Sequence, residues 1–301
     1  MYEEAFFHLL NKLHSKYQLE SVAIAGGCGM NSVANGKVIL KTPFKKVYVQ
    51  SAAGDAGGAI GAAFTTWHKV GGEQAKQRTQ SHDHAYWGPS FSDEYIGQLL
   101  DKQKDRIKNE NCDIKHIINM SELAKKTAVE IAEGKVIGWF QGRMEWGPRA
   151  LGNRSILCDP RRSDMKDILN LKIKRRESFR PFAPSILRES VSEWFEQNGD
   201  VPFMMQVYQI IKEKRSLIPA VTHVDGSGRL QTVSEKTNPR YHALIKEFNN
   251  LTNIPMLLNT SFNENEPVVC KPEEALETFL RTKMDLLVMG DWIIKRKAQE
   301  L

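Results

Sequence analysis

Two stretches concentrate the side chains that could handle a phosphorylated substrate. GRMEWGPRALGNRS (142–155) sets Arg143, Arg149 and Arg154, with Ser155, around a Gly-Pro turn. IKRRESFRPFAPS (173–185) sets Lys174 and Arg180 beside a proline-stiffened segment. Guanidinium forks match phosphate oxygens two at a time, and a lysine offers a point charge to negative charge developing in acyl or phosphoryl transfer. Arginines embedded among Gly, Pro and Phe fit a solvated helix face poorly, so these residues read as a pocket for a phosphorylated ligand. Further along, THVDGSGRLQTV (222–233) brings His223, Asp225 and Arg229 into a turn-rich segment, and LLNTSFNENEPVV (257–269) ends an apolar run on Asn259, Ser261 and Asn263. Hydroxyl and amide side chains at strand ends are where α/β sheets place ligands.

A second constellation is glycine-rich. AGGCGMNS (25–32) supplies Gly26, Gly27 and Asn31, and GDAGGAIGAA (54–63) supplies Gly54, Asp55 and Gly57. Each follows a β-rich run, and glycine lets backbone N–H groups approach a phosphate or nucleobase. Neither string is a Walker A or dinucleotide fingerprint.

The elements that must carry these residues follow from periodicity. Apolar residues at Phe6, Leu9, Leu10, Leu13 and Tyr17 predict a helix over 3–17, and SVAIA (21–25) and VYVQ (47–50) predict strands. AGGAIGAAFTTWHKV (56–70) predicts a helix packed closely on a sheet. The polar run after Gly71 reads as a linker. Beyond it, a helix capped by Ser121 and closed by Gly134 is expected, then strands at 135–140, 203–211, 255–259 and 285–289, with a helix opening at Asn238-Pro239. The expected division is 1–70 as one α/β unit, 71–117 as linker and connecting helix, and 118–301 as a second α/β domain.

The chain carries a net charge of +6, and Arg143 to Arg180 holds eight arginines and three lysines against five acidic residues, so the rest is neutral. No basic stripe is interleaved with aromatics, which speaks against nucleic acid. No apolar run is long enough to span a bilayer, and MYEEAFFHLL has no signal-peptide pattern, so a cytoplasmic protein without a membrane partner is expected. Cys28, Cys112, Cys158 and Cys270 are widely spaced and form no metal-knuckle pattern.

Four motifs in order, GRMEWGPRALGNRS, NLKIKRRESFRPFAPS, PAVTHVDG with QTV, and NTSFN with EPVV, resemble the NodU/CmcH-type carbamoyltransferases. The glycine strings of residues 1–70 resemble the second half of that family's ASKHA (actin-like ATPase) domain. The resemblance implies an α/β fold, with a partial ASKHA subdomain followed by a YrdC-like domain. It implies that carbamoyladenylate is made from carbamoyl phosphate and ATP with Mg2+, for O-carbamoylation of a small-molecule hydroxyl. Lys174, Arg180 and Arg149 would then be catalytic, while Arg143, Arg154, Ser155, His223, Asp225, Arg229, Asn259, Ser261 and Asn263 would bind carbamoyl phosphate or ATP. Gly26, Gly27, Asn31, Gly54 and Gly57 would line the second nucleotide site, and Asp55 would hold a divalent metal such as iron once an N-terminal lobe is supplied. That lobe, or a homodimer, is the expected partner. The alternatives are a non-catalytic ligand-binding subunit and a YrdC-like nucleic-acid binder.

Overall fold

The computed structural model describes residues 1–76, 83–174 and 181–297. The first unit opens with the helix Tyr2–Tyr17, which ends on Gln18 in the left-handed conformation. Strands β1 (Ser21–Ile24) and β2 (Lys46–Val49) pair in parallel, Val22 opposite Val47 and Ile24 opposite Val49. The helix Gly57–Val70 departs from expectation, since no residue in it is buried. Two strands of four residues make too small a sheet to cover its apolar side. Trp67 is 47% and Val70 75% exposed as a result.

The second unit is built on an eight-stranded mixed sheet among the described residues, ordered β3-β12-β11-β4-β5-β10-β6-β9. Its strands are β3 (Cys112–His116), β4 (Ile137–Phe140), β5 (Arg154–Cys158), β6 (Ala183–Leu187), β9 (Gln231–Val233), β10 (Met256–Ser261), β11 (Leu286–Met289) and β12 (Trp292–Arg296). The short strands β7 (Tyr208–Gln209) and β8 (Ser227–Gly228) pair apart from it. β4 with β11 and β6 with β9 run parallel, and the other neighbours antiparallel. β4, β5, β6 and β11 are buried at every position, as strands covered on both faces must be. The helices Met120–Ala132 and Pro239–Thr252 pack on each other, and the latter also on β6 and β10. The mixed α/β character expected from the pattern is what the chain adopts. The sheet also takes its edge strand β3 from the stretch read as linker, through antiparallel pairing of Cys112–His116 with β12.

The two units share a core. Val22, Ile24, Val38, Phe44 and Val49 cluster with Leu151, Ala183, Phe203, Met204 and Met205. Polar contacts lock the seam: Asn35 Nδ2 donates to Met205 O at 3.1 Å and Gln197 Nε2 to Gly36 O at 3.0 Å. Gly36 lies so close to Val207 that a Cβ there would stand 2.0 Å from its carbonyl oxygen.

Candidate anion-binding site and glycine-lined cavity

The arginine-rich loop 142–155 is shaped by a residue that the charge pattern did not single out. Glu145, 6% exposed, accepts from the backbone N–H groups of Leu151 and Asn153, both at 2.7 Å, and of Arg154 at 3.2 Å through one carboxylate oxygen. A carboxylate flanked by Gly-Pro and Gly-Asn turns was the signal available. Two of the predicted ligand arginines also serve the loop. Arg154 is fully buried, donates to Gln141 O at 2.6 Å and Asn153 O at 2.9 Å, and lies over the Phe140 ring. Arg143 donates to Trp87 O at 2.8 Å and Gly88 O at 3.1 Å. Ser155 Oγ accepts from Gly152 N at 3.0 Å. The Arg143 guanidinium, the terminal nitrogens of Arg154 and the Ser155 hydroxyl are therefore turned onto backbone, because a loop this rich in turns leaves many carbonyls and N–H groups to satisfy.

Arg149, at the crest of the same loop, differs. Its Nε, like that of Arg154, is sealed from solvent and has no hydrogen-bond partner among the described residues, but its terminal nitrogens are not spent on loop backbone as those of Arg154 are. Burial pushes its guanidinium below the usual arginine range. Gly147 holds the turn open beneath it with φ +128°, and a Cβ there would meet Ser51 O at 2.5 Å.

Lys174 comes to the site from the end of a single π-helical turn, Asn170–Lys174. Only 4% exposed, its ammonium reaches the end of β10 and donates to Ser261 O at 2.7 Å, Ser261 Oγ at 3.2 Å, and Asn263 O and Oδ1, both at 2.8 Å. These four oxygens are all neutral. Arg180 lies outside the described residues.

A buried amide network ties the backbone next to Arg149 to β10, the strand on whose end Lys174 rests. Asn259 donates through Nδ2 to Ala150 O at 3.1 Å, Ser185 Oγ at 2.9 Å and Gln231 Oε1 at 3.1 Å. Gln231 donates to Leu151 O at 2.8 Å and accepts from Ser185 Oγ at 2.7 Å. Ser185 was not singled out from the sequence, its hydroxyl giving no hint of a partner 46 residues away. Arg229 precedes β9, and its charge reaches His223. His223 Nδ1 is 3.1 Å from Ser227 Oγ, which donates to Asp225 at 2.6 Å. Those Ser227 contacts hold the Asp225 carboxyl below its usual range. Burial, with Arg229 and Lys166 nearby, lowers the His223 imidazole, while Asp225 opposes that shift.

The glycine strings also converge. A cavity of about 510 Å³ is lined by Gly26, Gly54, Asp55 and Gly57, together with Tyr48, Gln50, Phe64 and Trp87. Gly26 N donates to Ala53 O at 2.7 Å, tying the two loops together. Gly27 and Asn31 are not in its lining. Gly27 opens a 3-10 turn, and the Asn31 side chain caps the helix Ser32–Gly36 by accepting from Ala34 N at 3.2 Å. Asp55 is exposed, and among the described residues it belongs to no group of three metal-capable side chains. Among the described residues the grouping of three metal-capable side chains is Asp93, His116 and Asp291, which is elsewhere, and its Asp291 is paired with Arg240 at 2.7 Å. One carboxylate does not make a divalent-metal site, so the residues present here do not fit the metal expected at Asp55.

Among the described residues no helix is long and apolar enough to cross a membrane. The model of the carbamoyltransferase C-terminus matches residues 128–296, and that of the carbamoyltransferase N-terminus matches residues 1–64. Nodulation protein NolNO of Sinorhizobium fredii is 43% identical over 98% of this chain and 43% of its own length. The 3'-hydroxymethylcephem-O-carbamoyltransferase of Streptomyces clavuligerus is 34% identical over 92% of this chain and 46% of its own. The chain thus spans about half the length of the curated relatives it matches. Full-length HypF in its phosphate- and nucleotide-bound form shows a slight likeness, with a TM-score of 0.42 and 16% identity over 62% of this chain and 22% of that one. With both models matched in order and relatives aligned along nearly its whole length, the chain belongs to the carbamoyltransferase family.

Proposed function

We propose that this chain carries the activating half of an O-carbamoylation. Water releases carbamate and phosphate from carbamoyl phosphate. A carbamate oxygen then attacks the α-phosphate of ATP, taken as its magnesium complex, and pyrophosphate leaves. The resulting carbamoyladenylate passes its carbamoyl group to a small-molecule hydroxyl, giving the O-carbamate and AMP. The name of the cephem carbamoyltransferase relative supports a hydroxyl acceptor.

The observation that carries this reading is Arg149, a half-buried guanidinium whose Nε is sealed from solvent and has no hydrogen-bond partner among the described residues. Desolvating part of a cation without a counter-charge carries a cost, and a phosphate would relieve it with bidentate hydrogen bonds. Lys174 adds a second cation, its ammonium resting on Ser261 and Asn263 at the end of β10. The loop backbone bonded to Arg143 and Arg154 would keep Arg149 in place.

Pyrophosphate release from ATP and magnesium, followed with and without carbamoyl phosphate, tests the proposal. Wild type should release pyrophosphate only when carbamoyl phosphate is present, and Arg149→Ala should lower the rate on the order of a hundredfold with an unchanged melting temperature. Release indifferent to carbamoyl phosphate, or untouched in Arg149→Ala, would sink it.

A further inference from the structure

Asn259 is 2% exposed, and its Oδ1 has no hydrogen-bond partner among the described residues. The amide cannot turn over to cure this. Ala150 O is a carbonyl and can only accept, so the group facing it must be Nδ2. Gln231 is held the same way by Leu151 O, which turns its Oε1 toward Asn259 and Ser185. Ser185 gives its proton to that Oε1, leaving its own oxygen to accept from Asn259. Every neighbour therefore forces the Asn259 carbonyl to point away from the network, as a fixed and unsatisfied acceptor. Native proteins rarely leave such an atom buried without a role.

Its place gives the role. Asn259 bonds to the residue following Arg149, and it lies two residues before Ser261, on which Lys174 rests. Arg149 and Lys174, its neighbours through Ala150 and Ser261, are donors suited to phosphate oxygens, whereas a carbonyl oxygen can serve only an N–H or O–H of the ligand. Carbamoyl phosphate carries such a donor in its NH2 group and acetyl phosphate, otherwise similar in shape, carries methyl there. We infer that Asn259 is the specificity-determining residue of this site, its Oδ1 accepting from the carbamoyl NH2 and so selecting carbamoyl over acyl phosphates. Ser185 and Gln231 are positioning residues that set the amide's orientation. The inference rests on the proposed function, and deepens it.

Calorimetric titration of the full chain with carbamoyl phosphate and with acetyl phosphate tests it. Wild type should bind carbamoyl phosphate about tenfold tighter or more, since the methyl analogue leaves the acceptor unpaired. Asn259→Ser, if folded by its melting curve, should bind the two ligands within about twofold of each other. Independently of any variant, the assigned side-chain 13Cγ resonance of Asn259 in labelled wild type should shift with carbamoyl phosphate and not with acetyl phosphate. Equal affinity for the two ligands, a preference kept in folded Asn259→Ser, or a resonance that does not tell them apart overturns the inference while leaving the proposed function standing. Wild type that binds neither ligand overturns both.

Discussion

At the scale of single residues, the arginine-rich loop is organised by one carboxylate and two of its own guanidinium groups. Glu145 satisfies three buried N–H groups with one oxygen, so Glu145→Ala strands all three and is expected to cost on the order of 3 kcal/mol in urea unfolding. His223 gives a pH signature. Its imidazole is less basic folded than in an unfolded chain, so between the two values the unfolded state binds more protons. Stability from this residue is complete above the ordinary imidazole value of 6.5 and is lost as pH falls below it toward the lowered folded value. His223→Gln should flatten that part of a stability profile between pH 7 and 5. The Asp225 carboxyl, lowered mainly by the Ser227 hydroxyl, should move back up toward 3.8 in Ser227→Ala, which a carbon-detected NMR titration reads directly.

Among the elements, those with strong local signals were legible and those built by distant partners were not. Continuous β-branched or aliphatic runs gave away β1, β2, β4, β10 and β11. The helix at Asn238-Pro239 begins where its cap and first-turn proline say, with Asn238 Oδ1 accepting from Tyr241 N at 3.1 Å. Asn238 also donates to Tyr86 and to Asn153, each at 3.0 Å, so Asn238→Ala should lose about 2 kcal/mol, the upper end of a capping effect. The helix expected to be capped by Ser121 starts earlier, because Asn119 accepts from Glu122 N at 3.0 Å and leaves Ser121 inside it. The single strand read over 203–211 shrinks to Tyr208–Gln209, since Met204 takes φ +56° and Phe203, Met204 and Met205 dive into the seam between the units. β5, β6 and β9 hide inside the ligand motifs, where arginine, proline and glutamine mask the alternation that strands usually show. In the site, residue types pointed to Lys174 and Arg149, but nothing local distinguished Arg149 from Arg143 and Arg154. That distinction lies in which guanidinium the backbone consumes.

Taken whole, the molecule is unevenly held. The eight-stranded sheet is enclosed, whereas the helix Gly57–Val70 buries no residue and is held by few tertiary contacts. Local opening is cheapest where little apolar surface is covered. In hydrogen exchange its amides should therefore lose protection well before those of β4, β5 and β10. The turn at Gly147 carries a further consequence. Because it touches Ser51, next to residues that wall the glycine-lined cavity, the wall of one pocket is the footing of the other. Were a nucleotide to occupy the glycine-lined cavity and a phosphate to sit at Arg149, any factor by which one changed the affinity of the other would have to be reciprocal. Gly147→Ala, strained at φ +128° and wedged against Ser51, should lower the melting temperature and disturb the turn that carries Arg149.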